Sequence, residues 1–289
     1  MIIYMKTKTI YLCSFVFILI FFSVVILTGS ILSLPHQNNI GEPSDKLKAE
    51  KVLFPSKSGS NISGWFIPGK NNMGGILLLH GLKSNRLQMM KRAEFLNENG
   101  YSILMIDFQS HGESIGDGIT FGYLEALDAE AAFTFLENKL PNNHIGVIGV
   151  SLGGAAALLG QVAEKSKAII IESVYPTIEE AIKNRLIMYL GKSGKYLSPL
   201  LILQIKYRLN IDINRLHPIE RIKNVKGAVL VICGSVDKYT TLAESKRMFE
   251  QAKEPKQFWV VNGAAHVDFS RFDENHYKTK VLSFFKQYL

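Results

Sequence analysis

Cysteine is nearly absent from this 289-residue chain. Cys13 lies in an apolar run near the N-terminus and Cys233 in a strand-like run near the other end. The two cannot pair across those locations, so a disulfide framework is excluded. No Cys/His spacing resembles a structural zinc site, and no glycine-rich phosphate loop ends in Gly-Lys-Ser or Gly-Lys-Thr. Neither a metal nor a cofactor is expected. Internal repeats and low-complexity tracts are also missing. The net charge is +8, yet Lys and Arg are scattered rather than gathered into a block, and no nucleic-acid-binding module is visible. Nucleic acid is therefore not an expected partner. About +6 of that charge belongs to residues 35–289, which suits a domain beside anionic lipid head groups or plain solubility.

Charge of either sign is absent from Thr9 to Leu34, and Ile10–Leu27 is an almost unbroken run of Ile, Leu, Val and Phe. A secretory signal has an apolar core of about 7–15 residues, whereas about 20 are needed to cross a bilayer. The run is on the long side and Thr28-Gly29-Ser30 is a mediocre cleavage site. Residues 1–34 are read as an uncleaved membrane anchor, with a cleaved signal and a secreted or periplasmic product as the alternative. Lys6 and Lys8 ahead of the run place the N-terminus in the cytoplasm and the remainder of the chain on the other side.

Residues 35–50 read as a polar linker. From residue 51 onward, short apolar runs alternate with amphipathic stretches. The strand-like runs are Lys51–Pro55, Ile62–Ile67, Gly75–Leu79, Ser102–Asp107, Ile145–Gly149, Ala168–Glu172, Ala228–Cys233 and Phe258–Val261. Helical patterns fill Arg86–Asn97, Tyr123–Asn138, Leu152–Ala163, Leu242–Gln251 and Asn275–Gln287. This alternation predicts an α/β fold with a mainly parallel eight-stranded sheet covered on both faces, the first two strands forming an antiparallel edge hairpin. The interval between Glu172 and Ala228 is far longer than a usual βα connection. It holds two apolar helical patterns, Ile178–Leu190 and Leu197–Leu209, and predicts a small helical cap over residues 177–227.

Between one strand and the following helix stands Gly149-Val150-Ser151-Leu152-Gly153, a G-x-S-x-G sequence. A serine on so sharp a turn needs small neighbours, and the helix N-terminus behind it aims free N–H groups at the hydroxyl. The nucleophile requires a base, and the base an orienting acid, which follow in that order at later strand ends. Asp237 follows the strand ending at Cys233, and His266 follows the strand ending at Val261. Of the seven histidines only His266 combines chain order, a strand end and a glycine-containing loop. Asp237 is the favoured acid, and Glu172, at the end of another strand, is the alternative. For the oxyanion, the backbone N–H groups of Leu152 and of Leu82, in the loop Leu79-His80-Gly81-Leu82, are the expected donors. His80 is expected to fix that loop.

Taken together, these residues resemble the α/β-hydrolase family over roughly residues 50–289. Asp107-Phe108-Gln109-Ser110-His111-Gly112-Glu113-Ser114 is similar to the family's D-x-R-G-H-G-x-S segment, with Gln109-Ser110 in place of Arg-Gly. Within the superfamily the chain looks most like the membrane-anchored Bem46-related and serine aminopeptidase-like hydrolases. Pro218-Ile219-Glu220-Arg221-Ile222 and Glu254-Pro255-Lys256 fit that group, while Lys238-Tyr239-Thr240-Thr241 departs from the commoner Val-Pro after the acid. The resemblance implies a serine hydrolase acting on a carboxylic ester or thioester of a small-molecule or lipid-like acyl substrate. Peptidase or acyltransferase chemistry would use the same residues, and a non-catalytic membrane-tethered scaffold would keep the fold alone.

Overall fold

The computed structural model describes residues 2–43, 47–70 and 73–289. It opens with the long helix α1 (Ile2–Ser33). Tyr11–Ser33 is 23 residues with a mean hydropathy of 2.8, long and apolar enough to cross a membrane. Its side chains from Tyr11 to Leu27 are largely exposed, so the protein body does not hide this surface.

The residues expected to linger as a linker are partly pinned. A short strand β1 (His36–Gln37) precedes the edge hairpin β2 (Glu50–Pro55) and β3 (Asn61–Ile67). Then come β4 (Gly75–Leu79), α2 (Met90–Glu98), β5 (Ser102–Ile106) and the short β6 (His111–Gly112). β1 lies parallel to β6, and the Ile40 and Gly41 N–H groups donate to Glu113 Oε1. The pairing was not legible beforehand because two residues carry no periodicity.

The central elements follow as α3 (Tyr123–Lys139), β7 (Ile145–Val150), α4 (Leu152–Leu159), α5 (Val162–Lys165) and β8 (Ala168–Glu172). The expected single helix Leu152–Ala163 is thus two pieces. Gly160 adopts an extended conformation and breaks it, and Glu130 Oε1 accepts the freed Gln161 N–H at 2.8 Å. The long interval holds α6 (Ile178–Leu190), α7 (Ser198–Leu209) and the short α8 (Pro218–Arg221). β9 (Ala228–Gly234), α9 (Leu242–Gln251), β10 (Lys256–Val261), α10 (Phe269–Phe272) and α11 (Glu274–Tyr288) complete the chain.

Eight strands form one sheet in the order β10-β9-β8-β7-β4-β5-β3-β2, with β3 the one reversed strand. Alternation along each strand serves both faces. Ile76 and Leu78 of β4 join the α2 and α11 side with Phe95, Tyr277 and Phe284, while Leu77 and Leu79 join the α3, α4 and α9 side with Phe133, Ala156 and Met248. β5 leaves β4 in one direction across the sheet and β7 lies on its other side. The carboxyl ends of β4 and β7 therefore flank a topological switch point, where open α/β sheets leave a crevice.

Candidate active site

Ser151 sits at that crevice. Leu79 of β4 is in register with Gly149 of β7, which brings the loop after β4 beside the turn after β7. Ser151 has φ 49° and ψ −109°, a strained geometry for a residue with a side chain. The strain is held by neighbours that leave no room to relax. A β-carbon on Gly149 would strike the Gly154 backbone, and one on Gly153 would strike the carbonyls of Leu79 and His80. Ala155, Ala156 and Ala157 are buried and let α4 start hard against the sheet. The Ser151 N–H donates to Glu172 O at 2.8 Å.

His266 and Asp237 meet across the loops after β10 and β9. His266 Nδ1 lies 2.8 Å from Asp237 Oδ2, so with the carboxylate ionised Nδ1 carries the proton and Nε2 is left as the acceptor. Asp237 Oδ1 accepts the N–H groups of Tyr239 (2.8 Å) and Thr240 (3.0 Å). Burial alone would push this carboxyl up, but the His266 ring and these hydrogen bonds outweigh it and hold it below the usual range. The loop owes its shape to Thr241, whose hydroxyl accepts the Glu244 N–H while Glu244 returns a carboxylate to the Thr241 N–H. That capping box gives Thr241, the last of the residues that replace Val-Pro here, a structural role.

Glu172, the alternative acid, borders the same cleft but is committed to other partners. It is buried in a two-point ion pair with Arg92, at 3.1 and 2.6 Å, and accepts the Tyr277 hydroxyl. Neither the Leu82 nor the Leu152 N–H donates to an acceptor among the described residues. Gly81 N–H is spent on Gln88 Oε1 at 2.7 Å. His80 is fully buried; it donates from Nδ1 to Gly81 O, and its Nε2 accepts from Phe108 N–H. Burial first, and His111 beside it, push its pKa down to about 3, so it stays neutral as a loop clamp. His111 Nε2 accepts the Lys83 N–H in turn. In the second motif, Ser110 has φ +61°, a conformation that glycine takes without strain, and Gln109 donates to Glu125 and to Gly118 O.

Two cavities meet at Ser151. One is a polar cleft of about 300 Å³ lined by His266, Tyr239, Lys83 and Gln88. The other is a narrow apolar tube of about 70 Å³. Its walls include Leu32, Phe121, Ile178, Leu201 and Ile205. Ser151, Leu82 and Arg185 border both. No hydrogen bond joins Ser151 to His266 among the described contacts; they share the cleft. Sequence reading missed Arg185 and the part of α1 that reaches this tube, because neither carries a local motif. Arg185 packs over the Tyr239 ring at 5.1 Å, and Tyr239 in turn lies 5.2 Å from the His266 ring.

Comparison with known proteins agrees with this architecture. Residues 70–201 match the family described as serine aminopeptidase, S33. The chain is 23% identical to YqkD of Bacillus subtilis over 86% of its own length and 82% of the relative's. It is 26% identical to YfhR of Escherichia coli K12, covering 84% of each; both relatives are described as uncharacterized. The esterase Pf2001 of Pyrococcus furiosus superposes with a TM-score of 0.73 at 24% identity, over 89% of this chain and 98% of that one. With its sheet order, its serine turn and these likenesses, the chain has the α/β-hydrolase fold, and over residues 70–201 it is similar to the serine aminopeptidase-like hydrolases.

Proposed function

We propose that the chain is a membrane-anchored serine hydrolase that cleaves a carboxylic ester or thioester through an acyl-enzyme on Ser151. The observation that carries this reading is the 2.8 Å pairing of His266 Nδ1 with Asp237 on the cleft that Ser151 also lines. His266 Nε2 accepts the Ser151 proton as Oγ attacks the acyl carbonyl, and Asp237 holds the ring in that tautomer. The Leu82 and Leu152 N–H groups receive the oxyanion. His266 then protonates the leaving alcohol or thiol, and water entering by the polar cleft releases the acid.

An acyl chain fits the apolar tube better than a peptide does. An aminopeptidase site must pair the substrate's ammonium with a carboxylate. No acid lines the tube, and the two acids on the cleft, Glu172 and Asp268, are both paired with Arg92. From Lys6 and Lys8 ahead of the apolar run within α1, we infer that the catalytic domain lies on the non-cytoplasmic side of the membrane. A fluorophosphonate probe is expected to label the wild type and not Ser151→Ala. Equal labelling of the two would overturn the assignment, and p-nitrophenyl esters of increasing length should show a preference for medium or long acyl chains.

A further inference from the structure

Three features meet where α1 ends. The first is packing. Gly29 and Leu32 of α1 stand in the wall of the apolar tube with Leu201 and Ile205 of α7. At Gly29 the two helices touch so closely that a β-carbon would collide with the Gln204 side chain. Gln204 Nε2 donates to Val25 O at 3.0 Å.

The second is the helix end itself, whose last carbonyls have no partner within the helix. Here the protein body supplies donors. Lys83 Nζ donates to Ile31 O at 3.1 Å, the Ile119 N–H to Ser33 O at 2.8 Å, and Arg208 to the Ser33 hydroxyl at 3.2 Å. Cations at a helix C-terminus also meet the favourable end of its dipole. Lys83 directly follows Leu82, so the seating of α1 and the shape of the oxyanion loop are tied together.

The third is charge. Residues 177–227 contain ten Lys or Arg against four Asp or Glu, whereas the rest of residues 35–289 carries twenty-one of each sign. The positive excess that looked scattered along the sequence therefore belongs to the cap. Tyr189, Leu190, Tyr196, Leu203 and Tyr207 are exposed on the same cap, the mixture found where a protein meets lipid head groups.

We propose that α1 is a wall of the acyl-binding site as well as an anchor, and that the substrate is an acyl ester of a bilayer lipid. The lipid's chain reaches Ser151 along the seam between α1 and α7 while the basic cap rests on an anionic surface. This rests on the reading of Ser151 as the nucleophile. The acyl carbon leaves the lipid oxygen for Ser151 Oγ, while His266 passes the serine proton to the departing lipid hydroxyl; water, deprotonated by His266, then releases the acyl group as a free fatty acid and the proton returns to Ser151 Oγ.

The test uses the full chain reconstituted in vesicles of phosphatidylglycerol and phosphatidylethanolamine that contain a palmitoyl ester lipid. Fatty acid release is expected, falling when phosphatidylcholine replaces phosphatidylglycerol. Separately, the kcat/KM ratio of p-nitrophenyl dodecanoate to butyrate is measured for Leu32→Trp, for Gly29→Leu, and for Ile20→Trp on the exposed stretch of α1. The ratio should drop about tenfold or more in the first two and hold in the third. Fluorophosphonate labelling of Ser151 reports that each variant keeps a folded site. A labelled wild type that cleaves butyrate but releases no fatty acid from vesicles overturns the bilayer source. An unchanged ratio in both wall variants overturns the role of α1. Absence of labelling in the wild type instead overturns the nucleophile assignment.

Discussion

Arg92 and Glu172 face one another with both carboxylate oxygens engaged, at 3.1 and 2.6 Å, in a pocket where each side chain is about 1% exposed. Asp268 and Tyr277 complete the arrangement around the guanidinium. An acid so committed has no oxygen to spare for His266, and Asp237 takes that place. Removing one partner of a buried pair strands the other charge. Glu172→Gln is therefore expected to lower the melting temperature. Asp237→Asn is expected to lower the melting temperature much less, since Asn keeps an oxygen for the Tyr239 and Thr240 N–H groups, while kcat falls by about 10⁴-fold because the wrong imidazole tautomer results. Thermal melts beside ester kinetics separate the two; a large kcat loss in Glu172→Gln without destabilisation would reverse the assignment.

The backbone strain at Ser151 yields a second prediction. At φ 49° and ψ −109° a β-carbon is disfavoured and glycine is not. Ser151→Gly should be more stable than Ser151→Ala by about 1 kcal/mol, read as a melting temperature about 2–4 °C higher. Both variants should be inactive. Equal melting temperatures would mean that the turn carries no strain.

His217 joins the start of α6 to α8, with Nε2 3.0 Å from Glu179 and Nδ1 3.3 Å from Glu220. Burial would lower its pKa, but the two carboxylates outweigh that and raise it. A raised histidine contributes fully below its unfolded value near 6.5, and the contribution is lost as pH rises through the folded value. Amide exchange at the start of α6 should therefore accelerate, beyond the intrinsic rate, as pH climbs above about 6.5. In Glu179→Gln that extra acceleration should be reduced.

Asp128 is predicted to act in the opposite direction from a surface carboxylate. Burial, only partly offset by Ser58, Ser56 and the Gln109 N–H, pushes its pKa up to about 6. The native state then holds this proton after the unfolded chain has lost it. Its favourable contribution is complete below about 3.8 and disappears as pH rises through about 6. Lowering the pH from 7 to 5 should stabilise the wild type relative to Asp128→Asn, by urea denaturation at each pH. A constant difference across that range would contradict the shift.

Much of the architecture was readable because β4, β7, β8 and β9 are short, apolar and bounded by turns, a pattern set by burial on both faces. The break at Gly160 and the pairing of β1 with β6 were not readable, since each depends on one contact with a distant element. Asp237 and Glu172 were both open for the same reason: one follows a strand and the other ends one, and the packing of distant residues, His266 against Asp237 and Arg92 against Glu172, distinguishes them.

Local pattern, in the end, determined which residues stand at strand ends and that a serine would occupy a sharp turn before a helix. Those are demands of backbone sterics and of hydrophobic period, which act over a few neighbours. Tertiary structure alone decided the rest. It brought Arg185 between two cavities and closed the apolar tube with the end of α1. Such relationships depend on where distant segments pack, and no spacing along the chain encodes them.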